Sequence, residues 1–323
     1  MTIIRSLLAG AVAVAWAQAA AAQELPTIRA ATLESGTLNW ELQTIIDNGL
    51  DEANGFHLEL LKLADTGATR VAVEGDAAEV AVADWIWVAQ QRADGKDYVA
   101  FPYSTAVGGI LVPADSPAQT LEDLKGGSIG IAGGPLDKSW LILRAYARQE
   151  YGFDLAAETE QVYGAPPLIF KTALEGETDA AINFWHFLAK MEAGGMRELM
   201  SVTDAATALG LDPNTPLLTY YMKGEFAEAH PDLVQGLYHA SRQAKELLME
   251  DAAWDGIRPM MNAENDAEFA ALQAGFRAGI PVEGPVEPEA ANRMLQVMGQ
   301  LGGEELVGKA TSVPEGLFLE VTP

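Results

Sequence analysis

Apolar and polar residues are arranged along this chain in short blocks that predict strands followed by helices. Residues 27–32 predict a first strand, and residues 39–53 place Trp40, Ile45 and Leu50 on roughly one helical face. Further strands are predicted at residues 57–63 and 79–83, with a short helix at residues 68–74 between them. Strands that alternate with helices are typical of a mostly parallel sheet, which binds ligands at the carboxyl ends of its strands.

The same arrangement recurs one hundred positions further along the chain. Three residues of the first copy have counterparts in the second: Val82 with Ile182, Trp85 with Trp185, and Ala89 with Ala189. Alanine-rich amphipathic helices can resemble each other by chance. The simpler explanation is that the chain forms two similar α/β lobes.

The segment from residue 125 to residue 151 has the layout of a strand, a glycine turn and a helix N-terminus. Residues 128–132 predict a buried strand, Gly133 and Gly134 permit a tight turn, and Asp137 can accept hydrogen bonds from free helix amides. Amides exposed at a helix N-terminus can bind an anion or a polar ligand. The alternative is that this glycine turn only breaks the chain between two elements.

Two segments of the chain are predicted to connect the two lobes. The first joins a strand at residues 98–104 to the entry of the second lobe at residues 107–113, and the second is the loop-like segment at residues 201–216. Two such crossings make a natural hinge. The predicted division is a leader at residues 1–22, one lobe from residues 23–106 and 214–323, and a second lobe from residues 107–213. After a strand at residues 217–222, helices are predicted at residues 233–249, 253–261, 266–278 and 288–301.

Length and composition indicate a globular protein, because 323 residues with 49% hydrophobic content can bury the cores of two domains. The first 22 residues carry Arg5, an apolar stretch and an alanine-rich run, which is the layout of a cleavable secretory signal. No later stretch approaches the ~20 apolar residues of a membrane span. The chain has no cysteine, so we expect a freely diffusing periplasmic protein without disulfides or a lipid anchor.

Charge narrows the classes of partner. The chain has 46 Asp and Glu residues against 20 Lys and Arg residues, a net charge of −26. Nucleic acid is not an expected partner, because phosphate binding needs a basic face. The acidic residues form no metal-binding loop, and His57, His230 and His239 are scattered, so we predict neither a metal nor a cofactor.

Three segments carry a resemblance to a known family: residues 121–134, residues 171–181 and residues 226–234. Together they resemble the periplasmic solute-binding proteins of ABC importers, in the nitrate, sulfonate and taurine group that includes binders of the thiamine pyrimidine precursor. The resemblance implies a type II fold of two α/β lobes with a ligand cleft between them. It also implies a partner, because proteins of this kind deliver their ligand to a membrane permease driven by an ATPase.

The resemblance further implies that turns at the strand ends of both lobes bind the ligand. The residues carried over to these turns are Ser35, Thr37, Asp84, Trp85, Trp87, Tyr103, Ser104, Gly133, Gly134, Pro135, Asn183, Trp185 and His186. Trp40 is added to the predicted ligand-binding residues because it lies next to a predicted strand end. Trp85 and Trp185 are predicted to face each other across the cleft and stack on the ligand, with Asp84 fixing its orientation. Each tryptophan can instead be part of the core. Lys138 is predicted to face solvent.

One departure from the family pattern concerns the ligand. Sulfonate and nitrate binders tend to have hydroxyl-rich turns, whereas here Asp137 adds negative charge and the first hydroxyl comes only at Ser139. This departure disfavours a free inorganic or sulfonate anion as the ligand.

The function predicted from the sequence is the capture of a small organic solute for import by a monomeric receptor that is not an enzyme. The solute is expected to be planar or heterocyclic, or to bear a carboxylate, a sulfonate or a cationic nitrogen. Two alternatives remain: an accessory binding protein of a periplasmic redox or metal-uptake system, and an enzyme similar to a pyrimidine synthase. The enzyme is disfavoured because the chain lacks a cysteine nucleophile, a Gly-x-Ser-x-Gly elbow and a paired-carboxylate motif.

Overall fold

The computed structural model describes residues 25–322. The predicted secretory signal at residues 1–22 lies outside the described residues. Within them the strands are β1 (Thr27–Leu33), β2 (His57–Leu63), β3 (Val80–Asp84), β4 (Tyr98–Ser104), β5 (Gly109–Pro113), β6 (Ser128–Ala132), β7 (Glu160–Gly164), β8 (Ala180–Ile182), β9 (Met196–Ser201) and β10 (Leu218–Lys223).

Helices separate most of these strands and form the C-terminal part of the chain. They are α1 (Leu38–Asp47), α2 (Leu50–Ala53), α3 (Thr66–Glu74), α4 (Trp85–Ala93), α5 (Lys138–Tyr151), α6 (Leu155–Glu158), α7 (Pro166–Leu174), α8 (Trp185–Ala193), α9 (Val202–Ala208), α10 (Gly224–Ala229), α11 (Pro231–Leu247), α12 (Asp266–Ala278) and α13 (Pro288–Val307). Short 3₁₀ helices lie at Leu121–Leu124, Asp251–Trp254 and Arg258–Met260.

The strands form two five-stranded sheets of matching topology. The first has the order β2-β1-β3-β10-β4 and the second the order β7-β6-β8-β5-β9. In each sheet four strands share one direction, because β10 is antiparallel to both of its neighbours and so is β5. The structure therefore confirms the predicted pair of mostly parallel α/β lobes flanked by helices.

The chain passes between the sheets twice. The first passage lies between β4 and β5, and the second runs from β9 through α9 to β10. The C-terminal tail returns to the first sheet, where the amide of Leu319 donates to the carbonyl of Ala100 at 2.8 Å. The residues at which the lobes divide, 106/107 and 213/214, stay a prediction.

Two of the predicted helices are divided in the structure, and each division has a local cause. The predicted helix 39–53 is interrupted between α1 and α2, where Gly49 has a φ of 63°, a conformation that glycine adopts readily. The predicted helix 253–261 is replaced by two 3₁₀ segments. Pro259 lies in the second of them, and proline lacks the amide that an α-helix interior requires.

One apolar cluster connects elements that the sheets alone do not join. It contains Trp40 of α1, Ala189 of α8, and Trp254 and Phe276 of the C-terminal helical part. Trp40 lies with its ring centroid 6.0 Å from that of Trp254 and 6.1 Å from that of Phe276. Because this cluster contains side chains from helices of both lobes, its packing helps to fix how the lobes lie against each other.

Candidate functional site

Four helices begin at the strand ends where the two sheets face each other, and they meet in crossed pairs. Trp40, near the start of α1, contacts Trp185, the first residue of α8, edge-to-face with ring centroids 5.9 Å apart. Lys138, the first residue of α5, binds Asp84, which precedes α4, with Nζ and Oδ2 separated by 3.1 Å. The first helix of each lobe, α1 or α5, thus meets the helix that begins with the repeat-related tryptophan of the other lobe, α8 or α4. We call the region bounded by these four helix starts the interlobe cleft.

The two carboxylate oxygens of Asp84 accept hydrogen bonds from different lobes. Its Oδ1 accepts a hydrogen bond from the amide of Trp87 at 2.9 Å and so caps α4. Its Oδ2 accepts a hydrogen bond from the ammonium of Lys138. The side chains are only 13% and 26% exposed, respectively, which limits the screening of their charges by water. The predicted solvent-facing position of Lys138 is therefore wrong, because Asp84 of the other lobe lies within reach of its ammonium.

Asp137 has the corresponding place at the start of α5. Its Oδ1 accepts a hydrogen bond from the amide of Trp140 at 3.0 Å. Gly133 and Gly134 have φ values of 85° and 86°, and the Asp137 carboxylate folds back over Gly133, where a Cβ would lie 3.0 Å from Oδ2. Burial raises the pKa of Asp137 to about 6. The predicted turn is present, and a carboxylate of the chain itself lies at the helix N-terminus that could otherwise bind an anion.

Asn183 and His186 flank Trp185 at the start of α8. Asn183 uses its side chain locally, because Nδ2 donates to the carbonyl of Pro166 at 2.9 Å and Oδ1 accepts from the amide of Phe184 at 2.8 Å. Burial, with a smaller effect of nearby Lys190, lowers the pKa of His186 to about 4. The imidazole is therefore neutral at neutral pH and adds no positive charge to the cleft.

The structure pairs Trp85 with another aromatic residue instead of with Trp185. Trp85 is fully buried, and its ring centroid lies 5.7 Å from that of Phe318 in the C-terminal tail. Trp185 has Trp40 as its partner, as described above. The clamp in which Trp85 faces Trp185 is thus corrected, because repeat-equivalent helices are not the ones that meet in this fold. A contact of Trp85 with the ligand stays a prediction.

Trp87 packs within its own lobe. Its ring lies 5.9 Å from that of Tyr98 and 5.1 Å from that of Tyr221, and the guanidinium of Arg70 lies 4.1 Å from its centroid. These contacts occupy the ring in the manner of the core alternative that the sequence left open. A ligand-binding role for Trp87 has no support from this geometry.

The remaining predicted residues lie at the strand ends or at the first crossing. Tyr103 is buried, with the ammonium of Lys245 5.0 Å from its ring centroid. The side chain of Ser104 is hydrogen-bonded to the backbone near the first crossing. Its hydroxyl donates to the carbonyl of Gly279 at 3.1 Å and accepts from the amide of Ala106 at 3.0 Å. The half-buried residues are Thr37 and Gly134, and the exposed ones are Ser35, Gly133 and Pro135. Ligand contacts of all these residues stay predictions.

Sequence reasoning missed a buried polar cluster beneath α1. The fully buried carboxylate of Glu41 accepts hydrogen bonds from the hydroxyls of Tyr220 and Ser241, at 2.7 and 2.6 Å, and from the ammonium of Lys245. Burial raises the pKa of Tyr220 well above its usual value and lowers that of Lys245. A sequence signal existed, because Ser241 and Lys245 lie one turn apart within the apolar pattern of α11.

The described part of the chain has neither a metal-binding cluster nor a membrane-spanning helix. Between residues 25 and 322 no three His, Cys, Asp or Glu side chains lie together in a way that would hold a metal ion. No helix in this range is both long enough and apolar enough to span a membrane.

The sequence matches a family model described as NMT1/THI5-like over residues 47–253. The chain belongs to this family. A comparison with curated proteins finds no match.

Solved structures share the fold at low sequence identity. The periplasmic aliphatic sulphonate-binding protein SsuA from Escherichia coli superposes with a TM-score of 0.71 at 18% identity, covering 92% of this chain and 94% of that one. The MOPS-bound alkanesulfonate-binding protein SsuA from Xanthomonas axonopodis pv. citri gives 0.65 at 17% identity, covering 92% and 99%. A zinc-bound ligand-binding component of an ABC-type import system from Staphylococcus aureus gives 0.67 at 13% identity, covering 92% and 97%.

These likenesses show that the NMT1/THI5-like chain has the two-lobed fold of periplasmic binding proteins. They agree with the resemblance identified from the sequence. The three structures are binding proteins, the class that the sequence predicted for this chain.

Proposed function

We propose that this chain is the periplasmic solute-binding component of an ABC importer, and that it holds one small organic solute in the interlobe cleft. The observation that carries the proposal is the crossed pairing of helix starts, through Trp40 with Trp185 and Lys138 with Asp84. Each contact joins the two lobes at the strand ends, where α/β sheets bind ligands. A solute placed there would touch both lobes at once.

The chemistry of the two contacts suits an organic solute with an apolar face and a polar group. The half-buried indole of Trp185 offers a surface on which a planar ring can stack, and Trp40, itself only 3% exposed, supports that indole from the apolar cluster. Asp84 and Lys138 offer a carboxylate and an ammonium that can orient a polar group by hydrogen bonds. Capture and release need no bond to be made or broken, so the proposed activity is binding alone.

Closure of the lobes around the solute is part of the proposal. Two chain passages between the sheets are a geometry that permits hinge motion, and hinge closure around a ligand is a common motion of two-lobed proteins. The proposed setting combines the predicted leader with the family resemblance: we propose a monomer that is secreted to the periplasm and hands the solute to a membrane permease.

The test begins with the solute that the protein itself selects. The mature protein is purified from periplasm under mild conditions and denatured, and the released small molecules are identified by mass spectrometry. We expect one organic solute at about one per protein, which on addition to solute-free protein raises the melting temperature and reduces the radius of gyration in X-ray scattering.

Two variants connect that solute to the cleft. Trp185→Ala should weaken its binding, whereas Trp87→Ala, which alters an indole packed inside one lobe, should leave the affinity close to that of the wild type once the variant is shown to be folded. A solute whose affinity is unchanged by Trp185→Ala, or one that the protein converts to a product, would contradict the proposal.

A further inference from the structure

Among residues 25–322, Lys190 of α8 and Glu268 of α12 form one ion pair between the predicted lobes. Asp84 and Lys138 form another, across the interlobe cleft. They lie at the starts of α4 and α5, each from a different lobe. A solute that enters between these helix starts must share the site with this pair. The pair therefore bears on the charge of the solute.

One amide at the start of each of these helices is already occupied. The amide of Trp87 donates to Asp84, and the amide of Trp140 donates to Asp137. These amides are among the groups with which a helix N-terminus would bind an anion. In both helices the anion that they bind is a carboxylate of the chain itself.

We infer that the solute carries a cationic nitrogen, and that this nitrogen binds Asp84 in the place that the ammonium of Lys138 has in the structure. This inference rests on the proposed function, because it places the solute in the same cleft. It specifies the class of solute as an organic amine, an amidine or a protonated heterocycle.

The balance of charge favours a cation over an anion. Asp84 and Asp137 carry two negative charges against the one positive charge of Lys138. An anion that took Lys138 for itself would leave Asp84 without its partner and add a third negative charge to a partly buried place. A cation that displaced Lys138 would keep Asp84 paired, and the flexible lysine side chain, already 26% exposed, could turn to solvent.

The surroundings of the pair point the same way. Trp185, which is half-buried, supplies an aromatic surface of the kind that attracts cations, and the buried Trp40 packs against it edge-to-face. Asn39, the neighbour of Trp40, is 4% exposed, and its Oδ1 accepts no hydrogen bond among the described residues. Its Nδ2 donates to the carbonyl of Leu33 at 2.7 Å, which holds the amide over the end of β1. An unused acceptor at that strand end suits an N–H donor from a solute.

The charge of the whole chain acts in the same direction. With a net charge of −26, the protein attracts cations and repels anions as they approach. This effect changes the rate of association more than the final affinity. It therefore supports the inference without replacing the local geometry.

The test uses three probes that share one ring and differ in charge: benzylamine, benzyl alcohol and benzoate. Their affinities are measured by calorimetry for the mature protein and for Lys138→Met, Asp84→Asn and Lys171→Met. Asparagine retains the helix-capping oxygen and methionine suits a helix, so the variants should fold. Lys171→Met is the matched control, because Lys171 is 69% exposed and pairs only with Glu175 one turn away on α7.

We expect benzylamine to bind the wild type more tightly than the other two probes. Lys138→Met, which removes the competing ammonium, should tighten benzylamine binding roughly tenfold, equivalent to about 1.4 kcal/mol. Asp84→Asn should weaken it by a similar factor, and Lys171→Met should leave it unchanged. This pattern would separate a cation site on Asp84 from a general effect of net charge.

Two results would overturn the inference. Benzoate preferred by the wild type and lost in Lys138→Met would make Lys138 the ligand-binding charge and the solute an anion. No preference for benzylamine, or no binding of any probe to the wild type and Lys138→Met, would remove the cation site. The proposed function is judged separately, because the co-purified solute and its dependence on Trp185 test binding in the cleft whatever the charge.

Discussion

The carboxylate of Glu41 and the ammonium of Lys245 form a buried ion pair between α1 and α11, with Nζ 2.5 Å from Oε2. The two side chains are 0% and 3% exposed. Ser241 donates to the same carboxylate and accepts from the same ammonium. The pair thus ties the helix that carries Trp40 to the C-terminal helical part of the chain.

Removing one member of this pair should cost much more stability than removing a surface lysine. In Lys245→Met the carboxylate of Glu41 would remain buried without its cation, and we expect a loss of about 3–5 kcal/mol in the free energy of unfolding. Lys309→Met is the control, because Lys309 is 78% exposed and its pair with Asp94 should contribute less than about 1 kcal/mol. Urea unfolding measures both.

The double variant Glu41→Gln with Lys245→Met separates burial of a charge from loss of packing. If the cost comes from the unpaired carboxylate, the double variant should be more stable than Lys245→Met alone. Equal stability of the single and double variants would show that the methylene stem of Lys245, and not the charge, accounts for the loss.

Sequence reasoning predicted the two helices of this pair but not the pair itself. Residues 39–53 and 233–249 were predicted helical from their apolar spacing, and α1 and α11 lie there. Glu41 and Lys245 are separated by 204 positions. Local periodicity reports which face of each helix is apolar, and it carries no information on which polar residue of a distant helix will be opposite.

Trp85→Ala should act on folding, because the indole is fully buried against Phe318. We expect a loss of about 3–5 kcal/mol in the free energy of unfolding, typical of a large core aromatic residue truncated to alanine. Trp185→Ala should instead weaken binding of the co-purified solute about 5- to 150-fold, because a stacked ring contributes roughly 1–3 kcal/mol. Urea unfolding measures the stability of both variants, and calorimetry measures their affinity for the solute. If Trp85→Ala were as stable as the wild type, the assignment of Trp85 to the core would be wrong.

The cleft shows why repeats predict a fold better than a site. The sequence correctly matched Trp85 with Trp185, since each is the first residue of its helix. The two helices nevertheless have other partners, because α4 meets α5 and α8 meets α1. Which helix starts face each other depends on how one lobe is rotated against the other. That rotation arises from packing between lobes and leaves no periodic signal within either.

Asp137→Asn should stabilise the protein at neutral pH and have little effect in acid. Burial raises the pKa of Asp137 to about 6, above the value near 3.9 expected in the unfolded chain. The folded state therefore binds the proton more tightly, and the wild type loses stability as pH rises from about 4 to about 6. The gain of the variant over the wild type should grow across this range to at most about 3 kcal/mol, as measured by urea unfolding at several pH values.

Asp154→Asn is the control, because its effect on the stability of the folded protein should change with pH in the opposite direction. Arg144 holds the pKa of Asp154 well below its usual range, through hydrogen bonds of 2.9 Å to both carboxylate oxygens. This carboxylate stabilises the folded protein above its unfolded pKa, and the contribution is lost as pH falls toward the folded pKa. The variant should thus be less stable than the wild type at pH 7, with the difference shrinking in acid. A parallel response of the two variants to pH would refute the assignment for Asp137.

Gly275 of α12 lies against the indole of Trp185, the first residue of α8. A methyl group added at Gly275 should push α12 and α8 apart. A Cβ at this position would be 2.7 Å from Cζ3 and 2.8 Å from Cε3 of the ring. Alanine favours a helix over glycine by about 1 kcal/mol, so only a steric clash can make Gly275→Ala destabilising. With an overpacking cost of about 1–3 kcal/mol set against this gain, we expect a net loss of up to about 2 kcal/mol in the free energy of unfolding.

Gly299→Ala provides the matched control within a helix, because a Cβ there would meet Val307 at an ordinary contact distance of 3.4 Å. This control should be neutral or stabilising, since it gains helix propensity without the clash. Combining Gly275→Ala with Trp185→Leu should recover the loss, because the smaller side chain leaves room for the methyl group, and the double-mutant cycle measures the coupling directly. If Gly275→Ala were as stable as Gly299→Ala, the indole of Trp185 would not lie against α12, and its proposed position at the interlobe cleft would have to be abandoned.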